Sequence, residues 1–187
     1  NIKPIEIEKI KELLFGFGCE VLALPDLSES LDGHLGYKQG SLSSGGISLK
    51  EIQNLGNCGV VISVGESVRY CGAKLQDKNK KMQHWHFDGL SGLVDCDLFI
   101  AKILEYRNIS IPGPSIVRWR KRLQDALLDA HFAIGSTRFA LALEPDQLYN
   151  ISTLLSEAGG QISIAISPTK SKILEKIQAV ETVVGDL

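Results

Sequence analysis

The run Val60-Val61-Ile62-Ser63-Val64 is almost wholly β-branched and stops at Gly65. Such a run marks a strand buried on both faces, as in a parallel sheet. A parallel neighbour is reached only through a crossover of a dozen or more residues, usually a helix. This one run therefore predicts βα alternation around it. Val68, Cys71 and Leu75 give the next apolar stripe at helical spacing. A solvated basic turn follows at Lys78 to Lys81, then a strand at His84 to Phe87 and a helix at Asp95 to Arg107.

The alternation extends in both directions. Ile7, Ile10, Leu14 and Phe17, with Leu13 beside them, share one helical face, and Gly16 and Gly18 stop it. Cys19 to Leu24 reads as a strand ended by Pro25. A loop rich in Ser, Gly and Asp runs from Asp26 to Gly46, a length usual for functional or partner-facing segments. Ser48-Leu49-Lys50-Glu51 is a capping box that opens a short helix through Leu55.

Pro114 suits the first turn of a long helix ending near Phe132, before the stop at Gly135. Ile116, Trp119, Leu123, Leu127 and Ala130 form its apolar face. Arg118, Lys121, Arg122, Asp125 and Asp129 form its charged face, with Lys121 and Asp125 spaced to pair. Strands then follow at Arg138–Leu143, Gln161–Ile166 and Glu181–Val184. Between them lie a helix through Leu148 to Ala158 and a short one at Ser171–Lys176.

The expected fold is α/β, with Rossmann-like parallel sheets flanked by helices and two lobes joined by a long helix. The expected boundaries are a first lobe over 1–112, a connecting helix over 113–133 and a second lobe, read as truncated, over 134–187.

Composition removes several function classes. Twenty basic residues against 22 acidic ones leave a net charge of −2, which gives no field for nucleic acid or an anionic membrane. A hydrophobic fraction of 44% excludes disorder as the main state. No apolar stretch reaches the roughly 18 residues of a transmembrane helix, and the N-terminus carries no signal-peptide pattern. Cys19, Cys58, Cys71 and Cys96 contain no CxxC pair, which argues against a zinc ribbon or a thioredoxin motif. Their dispersal fits a reducing cytoplasm.

Six constellations could carry chemistry. Gly16-Phe17-Gly18 precedes a strand instead of following one, so the dinucleotide fingerprint fails. Gly65-Glu66-Ser67 has the strand–glycine–helix order of an anion site, but Glu66 stands where the anion would sit. His84 and His86 share a strand face and could chelate a metal; with no third ligand nearby, an edge-strand pair is favoured. Asp26, Glu29, Asp32 and His34 could do acid–base work, or build turns and partner contacts. Arg118 and Arg122 read as part of an ion-pair network with Asp125 and Asp129 that braces two lobes, Arg120 pointing away. The cysteines at 19, 58 and 71 fall in or beside buried elements, where cysteine acts as a small hydrophobe and not as a cluster ligand.

Several longer motifs carry a resemblance. They are the segment from Pro25 through Ser28, Asp32 and His34 to Leu35, the pair Gly45-Gly46 before Ser48-Leu49-Lys50-Glu51, and Ile111-Pro112. Arg118 to Phe132, Glu144-Pro145-Asp146-Gln147-Leu148 and Val184 to Leu187 continue it in order along essentially the whole chain. The sequence resembles the nitrogenase component 1 family, and within it the β-type scaffold subunits of iron–molybdenum cofactor assembly.

The resemblance implies subunits of three Rossmann-like lobes, of which this chain would be an internal to C-terminal piece. It implies a platform on which the cofactor matures before passing to apo-nitrogenase. The partners it implies are an α-like scaffold subunit, NifE, in an α2β2 assembly, the nitrogenase iron protein and a precursor-donating protein. The full complex would hold iron–sulfur clusters and an iron–molybdenum cofactor precursor. The family's cluster cysteine lies near the N-terminus of the full subunit, so none of the four cysteines here is matched to it. No catalytic, cofactor or metal residue is then expected in this segment. Asp26, Ser28, Asp32, His34, Arg118, Arg122, Asp125 and Asp129 are the expected partner or lobe-bracing contacts. The rival readings are the catalytic β subunit of nitrogenase and a stand-alone Rossmann-like enzyme.

Overall fold

The computed structural model describes residues 3–27 and 45–185. Ser28, Asp32 and His34, with Glu29, lie outside the described residues. The chain gathers into two compact units, one of residues 1–59 with 78–82 and one of residues 60–77 with 83–187.

In the first unit, helix α1 spans Pro4–Gly16 and helix α2 spans Leu49–Asn54. Proline at the start of α1 costs no hydrogen bond, because that N–H would be unpaired anyway. The predicted face turns inward: Leu14 and Phe17 are buried, and Ile7, Ile10 and Leu13 are half-buried. Gly18, at φ 73°, ends the turn in a conformation that favours glycine. The capping box on α2 forms as expected. Glu51 N–H donates to Ser48 Oγ at 3.2 Å, and Ser48 N–H donates to Glu51 Oε2 at 2.8 Å.

The strand expected at Cys19 to Leu24 does not form. A strand needs a neighbour to take its backbone hydrogen bonds, and the described residues of this unit contain no other strand.

The second unit is parallel α/β. Strand β1 (Val60–Val64) leads through Gly65 into α3 (Glu66–Lys78), and β2 (Gln83–Phe87) pairs parallel with β1. Helices α4 (Gly92–Arg107) and α5 (Pro114–Ile134) follow. Then β3 (Arg138–Ala142), α6 (Pro145–Glu157), β4 (Gln161–Ser167), a short 3-10 turn and β5 (Ala179–Val184) complete the chain. Strands β3, β4 and β5 form a second parallel sheet in that order, with a bulge between Phe139 and Ala140. Leu148, Ile162, Ala165, Leu174 and Ile177 are the core between α6 and this sheet.

Three expectations about burial are corrected. β1 is only half-buried apart from Ser63, because its sheet has two strands among the described residues. On α3, Val68 and Cys71 are exposed, and the buried residue is Gly72. Hydrophobic periodicity cannot detect such a face, since the contact is made where a side chain is missing. On α5 no residue is fully buried: Ile116, Leu123, Leu127 and Ala130 are half-covered, while Trp119 is exposed.

Candidate functional site

The parallel register sets Val61 beside His84 and Ser63 beside His86, so Ser63 and both histidines point to one face. Ser63 Oγ lies 2.8 Å from His84 Nε2 and 2.9 Å from His86 Nδ1. α3 can pass this close because Gly72 has no side chain; a Cβ there would strike the His84 imidazole. Beyond the carboxyl ends of both strands, Glu66 opens α3 and Asp88 follows β2. His86 Nε2 lies 3.4 Å from Asp88 Oδ1 and 3.7 Å from Glu66 Oε2. Parallel α/β proteins place ligands at this end of their strands.

Arg69 Nη1 holds Glu66 Oε2 at 2.9 Å, and Lys176 Nζ donates to Asp88 Oδ2. Burial, and then the charge of Arg69, keeps His86 below the ordinary imidazole value against the pull of Asp88 and Glu66. Burial and the neighbouring His86 lower His84 in the same direction. Burial alone would raise the Asp88 carboxyl, but Lys176 and His86 outweigh it and hold it below the usual carboxylate value. His86 Nε2 and Asp88 Oδ1 are buried and make no hydrogen bond. Glu66, His86 and Asp88 are the one set of three possible metal-ligating side chains that converges among the described residues. The sequence offered His84 and His86 without a third ligand. The structure gives His86 two carboxylates and turns His84 to Ser63.

The glycine turn after β1 is also explained. Gly65, at φ 95°, exposes the first N–H groups of α3, and Asp146 of α6 fills that position. Glu66 N–H donates to Asp146 Oδ1 at 3.0 Å, and Ser67 Oγ–H donates to Asp146 Oδ2 at 2.5 Å. The anion is thus the chain's own carboxylate. At the other end of α6, Glu157 accepts from Leu93 N–H at 2.5 Å and Val94 N–H at 3.1 Å, which caps α4 in the same way.

The expected contact residues separate. Asp26 is ion-paired to Lys11 at 2.7 Å within the first unit. Arg118 is exposed, and Arg122 lies over the Trp119 ring, 4.6 Å from its centroid. Among the described residues no ion pair joins Arg118, Lys121 or Arg122 to Asp125 or Asp129, both of which are exposed, so the expected network is absent. The helix places them in water, where such pairs gain little. Arg120, expected to point away, instead grips Asp97 of α4 through two nitrogens at 2.7–3.0 Å.

All four cysteines are free, and no three thiols converge among the described residues. Burial and nearby carboxylates push the Cys96 thiol up.

Comparison with known proteins adds the following. Residues 1–186 match the family model described as "Nitrogenase component 1 type Oxidoreductase". Three relatives are named nitrogenase iron-molybdenum cofactor biosynthesis protein NifN. The one from Nostoc sp. is 36% identical over 98% of this chain and 41% of its own length. The one from Bradyrhizobium diazoefficiens is 35% identical over 100% and 39%, and the one from Rhodobacter capsulatus 35% over 97% and 40%. The chain thus spans about two-fifths of these relatives, for instance 41% of the first. A solved nitrogenase Cp1 structure superposes with a TM-score of 0.89 at 24% identity, over 100% of this chain and 43% of that one.

Proposed function

The chain belongs to the nitrogenase component 1 family, and from that premise we propose that it is a segment of a NifN-type scaffold subunit. On such a scaffold the iron–molybdenum cofactor is matured before its transfer to apo-nitrogenase. One observation carries the reading. Relatives named NifN match the whole chain at 35–36% identity, whereas the solved nitrogenase that shares its fold is 24% identical.

In this reading the cofactor precursor is cargo, not a resident group. The partner subunit is NifE-like, in an α2β2 assembly in the cytoplasm that also meets the iron protein and a precursor donor. The 1–112, 113–133 and 134–187 divisions would be pieces of two lobes and their connecting helix in the longer subunit. The segment's task is to present surfaces, and no step of the assembly chemistry is assigned to its residues. Exposed Arg118, Arg122, Asp125 and Asp129 on α5 are the proposed partner contacts, since no ion pair within the described chain engages them. Asp26, Ser28, Asp32 and His34 complete that proposal.

The test is cofactor transfer. The full-length subunit is co-purified without oxygen with its α-like partner. It is loaded with precursor, molybdate, homocitrate, iron protein and ATP, then mixed with apo-nitrogenase. Restored substrate reduction by the apo-enzyme is expected. Substrate reduction by the purified pair itself, without transfer, would place the chain in the catalytic β-subunit branch. A protein that does neither and carries no iron would return it to a stand-alone α/β enzyme. Reversing the charge of Arg118 and Arg122 together should weaken co-purification of the partner; unchanged assembly would remove them from the interface.

A further inference from the structure

We propose that Glu66, His86 and Asp88 form a mononuclear site for a divalent first-row transition-metal ion, with zinc(II) as the reference ion. The proposal does not depend on the scaffold reading.

The first argument is spacing. His86 Nε2 stands 3.4 Å from Asp88 Oδ1 and 3.7 Å from Glu66 Oε2. Metal–nitrogen and metal–oxygen bonds of about 2.1 Å in tetrahedral arrangement put neighbouring ligand atoms about 3.4 Å apart. These two spacings are those of neighbouring vertices in a coordination shell, and one ligand atom from each of the three side chains lies within 4.8 Å of the other two. His86 Nε2 and Asp88 Oδ1 are also buried and without a hydrogen bond. Buried polar atoms without partners are rare in folded proteins and call for an ion, a water or a function.

The second argument is the support behind His86. The Ser63 hydroxyl has one hydrogen to give and stands between two imidazoles. When it donates to His84 Nε2, it accepts from the Nδ1–H of His86. That arrangement leaves the lone pair of His86 Nε2 facing the two carboxylates. A histidine ligand held by its other ring nitrogen is the usual construction of a metal site. Gly72 lets α3 pack on His84 and so keeps the serine in place.

The third argument selects the kind of ion. Arg69 already lies on Glu66, and Lys176 on Asp88. Charge is therefore largely balanced, and an ion held by charge alone has little to gain. Magnesium and calcium prefer oxygen shells, whereas an imidazole with carboxylates suits zinc and its neighbours.

The experiment uses the full-length protein, with any subunit that co-purifies, stripped of labile metal. Zinc is titrated by calorimetry, cobalt(II) by visible absorption, and thermal unfolding is followed with and without zinc. Parent, Glu66→Gln and Asp88→Asn are compared after circular dichroism confirms each fold. The expected result is a zinc site in the parent that loses tenfold or more in affinity in either variant, on the scale by which outer-shell changes alone weaken metal sites by about 10–100-fold. Cobalt should show a ligand-field band in the parent that both variants lose, and millimolar magnesium should not displace zinc. Should Asp88→Asn fail to fold once Lys176 loses its partner, Glu66→Gln decides alone. Equal zinc affinity and equal thermal shifts in parent and Glu66→Gln, or no zinc-dependent shift in the parent, would overturn the assignment.

Discussion

At the residue scale, chemistry follows neighbours that the sequence does not name. Asp95 lies in the first turn of α4, where an acid is ordinarily favourable. Here burial and then the charge of Glu157 raise its carboxyl above the ordinary 3.8, with Asp88 adding to the rise; the Tyr149 hydroxyl and Lys176 oppose it. One of its oxygens is buried without a partner. A raised carboxyl favours the fold fully below about 3.8, and that contribution is lost as pH rises through the folded value. Asp95→Asn should therefore raise the melting temperature at pH 7, each 1 kcal/mol being worth about 2–4 °C in a chain of this size. The gain should shrink towards zero as the pH approaches 4, which a series of thermal melts would reveal. A variant no more stable than the parent at neutral pH would show that Asp95 is not a strained charge.

At the scale of elements, α6 ties the sheet-forming unit together through its ends. Asp146 caps α3 and Glu157 caps α4, each across more than sixty residues of chain, as the separations of 80 and 64 show. Both capped helices start beside a glycine that has no alternative. A Cβ on Gly65 would fall 2.6 Å from Asp146 Oδ2, and one on Gly92 would enter the Glu157 carboxylate. Removing an N-cap acceptor costs about 0.5–2 kcal/mol. Asp146→Ala should lose about that much in urea unfolding, while Asp146→Asn, which still accepts, should keep most of it. Equal losses in the two variants would mean that charge, and not hydrogen-bond geometry, sets the contribution. Arg120 braces α5 to α4 through Asp97. Helical spacing points it away from Arg118 and Arg122, but an apolar stripe orients a helix only approximately.

At the scale of the whole molecule, Leu148 of α6 is fully buried in the core beside the three-stranded sheet. Leu148→Ala should cost about 2–5 kcal/mol, the range for a buried leucine whose surroundings relax only in part. A loss well under 1 kcal/mol in equilibrium unfolding would mean that the core refills around the gap. The exposed side chains of α5, among them Trp119, Leu128 and Phe132, belong to a chain that covers 41% of its Nostoc relative.

Local sequence was enough for the order of helices and strands in the parallel unit, the capping box at Ser48 and Glu51, and the proline start of α5. These are set within a few residues along the chain, by periodicity, backbone freedom and local hydrogen bonds. It also carried the family, through motifs that recur in order along the chain. That Cys19 to Leu24 is not a strand emerges only in the folded chain, because pairing needs a distant neighbour. Only tertiary structure showed that Gly72 is the buried point of α3, because a missing side chain leaves no hydrophobic signal. It alone brought Glu66 and Asp88 to His86 and sent His84 to Ser63. Those contacts join groups on separate elements through the register of β1 on β2, and spacing along a single segment does not encode that register.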